Sequence, residues 1–96
     1  MNETTYEAFE ATSRAEGFDE VLTREWAPEL LLDTHQHPFS VKARVARGEA
    51  WLTFGGQTLH LQAGDGFELA RDEPQAERYG RDGATFWVAR RHGPPA

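Results

Sequence analysis

The residues best equipped for chemistry are His35 and His37, one residue apart at the end of the run Leu30-Leu31-Leu32-Asp33-Thr34-His35-Gln36-His37. In a strand, side chains alternate faces, so residues two apart point the same way. The two imidazoles then stand as a pair on one face, with Gln36 turned away. A helix would set them about 200° apart. Neutral imidazoles so paired are half of a site for Zn, Fe, Ni or Cu. The plainer reading is two hydrogen-bonded histidines that hold nothing. What the rest of the chain brings to that face decides between them.

Other chemistries are absent from the sequence. The chain has no cysteine, which excludes disulfides, thiol catalysis and cysteine metal sites. It carries no G-x-S-x-G elbow, phosphate-binding loop or dinucleotide fingerprint. Its formal charge is −6, and eight acidic residues against two basic ones crowd into residues 1–29. An acidic chain without a basic stripe argues against nucleic acid, where binding is dominated by phosphate neutralisation. No apolar run approaches the roughly 18 residues of a membrane span, and no signal peptide is expected, so the expectation is a cytoplasmic protein.

The elements that must position the histidines follow from periodicity. A Thr4-x-x-Glu7 capping box and an apolar side built from Tyr6, Phe9 and alanines predict a helix over 5–16, with Thr4 as the cap and Gly17 as the stop. From Phe18 to Trp26 the period becomes two, which suits a strand solvated on one side. Residues 30–36 form the histidine strand between Pro28 and Pro38. Val41–Val45, Ala50–Phe54, Gln57–Gln62, Phe67–Leu69, Gln75–Tyr79 and Ala84–Arg91 read as further strands. Turns are expected at Gly48-Glu49, Gly55-Gly56, Gly64-Asp65-Gly66 and Asp82-Gly83. His60, between two leucines, is expected to face solvent. Trp51, Phe54, Phe67, Phe86 and Trp87 read as core or interface aromatics. One helix and about eight short strands make an all-β barrel or jelly roll. The 96 residues make one domain, with a helix and edge strand over 1–29 and the barrel over 30–92.

The glycines and histidines resemble those of the small single-domain cupins, over about residues 30–91. That family's motifs read G-x5-H-x-H-x3,4-E-x6-G and G-x5-P-x-G-x2-H-x3-N. His35-Gln36-His37 and Gly48 fit the first, and Gly64 opens the second, with Ala70 where the family has proline. The resemblance implies a double-stranded β-helix with the histidines inside the barrel near one mouth. Its metal-binding glutamate falls on Val41, or on Lys42 in the looser register. Its third histidine falls on Gln75, its asparagine on Tyr79 and its first glycine on Glu29. Two family ligands therefore remain, one is replaced by an amide and one is lost.

These observations imply a barrel whose interior pocket takes a small-molecule ligand, through a divalent metal such as Zn, Fe, Ni or Mn held by His35, His37 and Gln75, or without one. The alternatives are a metal-dependent dioxygenase or isomerase of the cupin type, and a non-catalytic structural dimer. Glu77 shares a strand face with Gln75, though its plainer reading is a solvated acid at a strand end. Arg90-Arg91-His92 is too short a basic run to carry meaning. A homodimer is expected, since the strand Phe18–Trp26 carries large apolar residues that a partner subunit could cover.

Overall fold

The first element begins one residue later than its capping box suggests. The side chain of Thr5, not Thr4, accepts a hydrogen bond from the backbone N–H of Ala8 at 3.1 Å. This satisfies a donor the first turn would otherwise leave unpaired, and helix α1 spans Tyr6–Ala15. The structure, a computed structural model, describes residues 4–93.

Six strands follow, all paired antiparallel: β1 (Glu20–Trp26), β2 (Leu31–His35), β3 (Ser40–Phe54), β4 (Gln57–Gln62), β5 (Gly66–Leu69) and β6 (Gln75–Arg91). The expected turns at Gly48-Glu49 and Asp82-Gly83 are not turns. The chain runs through both, and four short strands become the two long ones, β3 and β6. The ladder between them slips twice, between Val45 and Arg47 and between Gly48 and Ala50. An extra residue bends a strand without ending it, and each long strand thereby serves two layers. One layer is β1, the 84–91 half of β6, the 40–48 half of β3, and β5. The other is β2, the 75–79 half of β6, the 50–53 stretch of β3, and β4. Val45 and Phe86 from the first layer share one core with Leu52 and Tyr79 from the second.

A smaller cluster lies outside the first layer, where Phe9 and Phe18 pack on Ala89 with Val21 and Trp87 against them. Helix α1 is thus the cover of that layer. The Tyr6 hydroxyl donates to the Val21 carbonyl at 3.2 Å, and Arg91 Nη2 donates to the Glu16 carbonyl at 2.8 Å, closing the helix C-terminus. The apolar residues of the Phe18–Trp26 segment, which a partner subunit could cover, already pack in part within the chain. Phe18 and Val21 lie against the helix side, and Leu22 and Trp26 turn into the core. Trp51, one of the expected core or interface aromatics, lies outside the core. It sits on the outer face of the second layer, stacked on His60 at 4.7 Å with the Arg78 guanidinium 4.0 Å from its ring centre. His60 is exposed as expected, and its Nε2 lies 2.6 Å from Glu49 Oε2.

The bend is enforced at two glycines. Gly48 has φ +88° and Gly83 φ +69°. A Cβ on Gly48 would meet the Gly83 carbonyl oxygen at 2.2 Å, and one on Gly83 would meet the Trp26 carbonyl oxygen at 2.3 Å. Gly64 shares the positive φ, at +96°, but has open space around it. Gly48→Ala and Gly83→Ala should each cost roughly 2–5 kcal/mol, strain plus overpacking, while Gly64→Ala should cost only about 1–2 kcal/mol. Denaturant unfolding of the three variants checks the order, and equal losses at all three would contradict it.

Candidate functional site

His35 faces the interior because β2 is irregular. Leu32 pairs with Glu77 and His35 with Gln75, three residues on one strand against two on the other. Leu32 packs against the core, so strict alternation would put Thr34 inward and His35 outward. The bulge restores His35 to the inner face. The Asp33 carbonyl oxygen, 2.7 Å from His35 Nδ1, then fixes the ring.

His35, His37 and Gln75 all line one cavity of about 520 Å³ between the two layers. Gln75 is 5% exposed, with its amide nitrogen 3.3 Å from His35 Nε2 and its Oε1 buried without a hydrogen-bond partner. The His37 ring stands edge-on to His35, centroids 5.0 Å apart, and stacks on Phe39 at 4.9 Å. Burial pushes the His37 pKa below its ordinary value, and the charges of His35, Arg90 and Arg24 push the same way. The neutral form of its imidazole is thereby favoured.

Glu77, read from sequence as a solvated acid, is instead a wall residue. Its side chain is 10% exposed, and its Oε2 lies 3.2 Å from His35 Nε2. The Tyr79 hydroxyl donates to Glu77 Oε1 at 2.8 Å. Burial, with Glu77 adding to it, drives the Tyr79 phenol far above its usual pKa, so it remains a donor. His35 Nε2 therefore has two partners of opposite demand. Unprotonated, it accepts from the Gln75 amide; protonated, it donates to Glu77. The strand periodicity of Gln75 and Glu77 was the available signal for this.

Two arginines also line the cavity, and sequence reading passed over both. Arg24 lies between Leu22 and Trp26 on the inward face of β1, its guanidinium 4.6 Å from the Trp26 ring centre. Arg90 shares the face of Phe86 and Val88 on β6, its guanidinium 4.9 Å from the Phe39 ring centre. The same alternation places both inward. The rest of that layer's lining is apolar, with Val41 where the cupin resemblance puts a carboxylate, together with Phe67, Leu69, Phe86 and Val88.

By type, two imidazoles, an amide and a carboxylate suit a first-row divalent ion. Among the described residues, no group of three His, Asp or Glu side chains is placed to hold a metal. The His35 nitrogen that would ligate is already in contact with Gln75 and Glu77.

Because His37 binds protons less readily in the fold than in the unfolded chain, acidification favours unfolding. Its contribution is complete above the ordinary histidine value of about 6.5 and declines as pH falls through it towards the lower folded value. Wild type should lose more stability between pH 7.5 and pH 5.5 than His37→Gln does, as measured by urea unfolding at each pH. A larger loss in the variant would reverse the sign.

No protein-family model and no curated protein matches the sequence. Solved structures do match in fold. A protein of unknown function from Rhizobium leguminosarum aligns with TM-score 0.71 at 18% identity, over 76% of this chain and 69% of that one. A cupin protein from Bacteroides fragilis aligns with TM-score 0.63 at 20% identity, over 79% and 68%. A DMSP lyase from Ruegeria pomeroyi aligns with TM-score 0.63 at 25% identity, over 74% of this chain but only 36% of the lyase. Two bent strands shared between two antiparallel layers, around a cavity open at one mouth, give this chain the fold of a small cupin, a double-stranded β-helix.

Proposed function

We propose that the barrel is a binding site for a small organic molecule, held between the apolar wall of the cavity and the polar group of His35, His37, Gln75 and Glu77. The supporting observation is one cavity of about 520 Å³ lined mostly by aromatic and aliphatic side chains, with a few polar and charged ones among them. That volume lies within the roughly 300–1,000 Å³ of ordinary small-molecule pockets, which combine an apolar lining with a few placed polar groups. The apolar wall supplies affinity, and the polar groups fix orientation. A partner for the buried Gln75 Oε1 would come from the ligand side, because a buried polar atom left unpaired costs about 1–3 kcal/mol.

A second reading keeps the metal. Two imidazole rings 5.0 Å apart, with the Gln75 amide against one, supply a neutral donor set for a divalent ion. Bound there, the ion would polarise a ligand oxygen. His35, His37 and Gln75 would hold it, and Glu77, paired with Tyr79, would stay aside. Homodimer formation belongs to the same reading, supported by Leu31, 65% exposed on the edge strand β2.

Titration calorimetry of the purified protein against small aromatic and aliphatic organic compounds tests the pocket. Val88→Trp should fill the cavity and abolish binding while leaving the circular dichroism of the barrel in place. Retained binding in a folded Val88→Trp protein would move the ligand elsewhere. For the metal, zinc uptake should rise at least about tenfold in Gln75→His, where imidazole replaces a weaker donor. Equal uptake would end the metal reading and leave the organic pocket standing.

A further inference from the structure

We infer that the cavity mouth is a carboxylate site and that the ligand is a monocarboxylic acid with an apolar body, recognised by Arg24 and Arg90. This rests on the reading of the cavity as a ligand pocket.

Both guanidinium groups arise from positions that strand alternation turns inward, in a protein whose overall charge is −6. A cation drawn out of water into a cavity wall is costly unless something compensates it. The chain supplies little compensation. Among the described residues, Arg24 makes no ion pair; its recorded contact is the Trp26 ring at 4.6 Å. Arg90 reaches a single carboxylate, that of Glu20 at 3.5 Å, and Glu20 also holds His92 Nε2 at 2.7 Å. Arg90 Nε is buried without a hydrogen-bond partner. The cavity's own buried carboxylate, Glu77, is committed to Tyr79 and His35. The cavity lining therefore carries positive charge that the chain only partly compensates, with His37 beside it.

The ring contacts suit this role. A guanidinium lying over an aromatic face is braced there, while its edge keeps its N–H donors available. Those edge donors match a carboxylate in a two-point fork. The wall beyond is Phe67, Phe86 and Val88, which offers no partner for a second charged or heavily hydrated group. A free inorganic anion would gain the fork and forfeit the apolar wall. A neutral apolar molecule would gain the wall and leave the guanidinium groups unanswered. An acid with a short aryl or alkyl body satisfies both.

Calorimetry on the intact protein, with phenylacetate and hexanoate set against phenylacetamide and hexanamide, tests the inference directly. The acids should bind at least about tenfold tighter than the isosteric amides, and that advantage should shrink as sodium chloride rises. Arg24→Gln and Arg90→Gln should each reduce acid affinity about tenfold or more and leave amide affinity unchanged. Arg24→Lys should recover part of the loss. Arg47→Gln, at an exposed arginine on the opposite face of β3, should change nothing. If a glutamine variant fails to fold, the acid-to-amide ratio and its salt dependence in the unaltered protein still decide. Equal binding of acid and amide overturns the carboxylate site and leaves the pocket. Phosphate or acetate binding as tightly as phenylacetate overturns the apolar body. No binding of either acids or amides overturns the pocket reading along with this one.

Discussion

The architecture depends on one close approach of backbone to backbone. Gly48 lies so near the Gly83 carbonyl that a Cβ would sit 2.2 Å from it, and Gly83 is equally tight against the Trp26 carbonyl. At that crossing β3 and β6 leave one layer and enter the other. A sheet of six strands cannot enclose a cavity while it stays flat, and a bend in two shared central strands folds it on itself. Val45, Leu52, Tyr79 and Phe86, drawn from both layers, then form a single core. The cavity lies between the two layers that this bend brings together.

Polarity inside a small barrel is expensive, and its arrangement here is economical. Tyr79 holds one oxygen of Glu77 and His35 approaches the other, so the buried carboxylate is largely satisfied within the chain. The two arginines stand on aromatic faces, where the ring offsets part of the loss of hydration. Val41 and its neighbours keep the far wall free of competing acceptors. Polar groups with fixed tasks face a largely apolar wall that carries Arg24 and Arg90, and this asymmetry orients whatever enters.

The sequence made the barrel legible, because period-two alternation and glycine turns survive in nearly every strand. The helix was out by one residue at its cap, since Thr4 and Thr5 offer the same hydroxyl and only tertiary context chooses. Gly48-Glu49 and Asp82-Gly83 read as turns because a positive-φ glycine serves a turn and a bulge equally well. His35, His37 and Gln75 do line one cavity, yet the inward aim of His35 depends on a bulge at Asp33-Thr34 that no residue type announces. Glu77, Arg24 and Arg90 were on inward positions of readable strands. Glu77 and Arg90 were given their plainer surface readings and Arg24 no site role, because charged side chains are ordinarily solvated and nothing local distinguishes those that are not. Trp51 shows the converse: a large aromatic on the outer face, sheltered by Arg78 and His60 rather than by a core.

Tyr79 links two demands that many proteins keep apart. Its ring stacks on Trp26 at 5.1 Å and packs on Phe86 at 5.8 Å, while its hydroxyl fixes Glu77. The side chain that completes the core also sets the carboxylate at the cavity wall. Drift at Glu77 or Tyr79 would trade ligand preference directly against folding. Arg24, His37 and Arg90 sit at the half-exposed rim, where replacements are tolerated more readily. Evolutionary or laboratory diversification of this barrel would therefore proceed from the rim inward, with the wall behind it inherited almost unchanged.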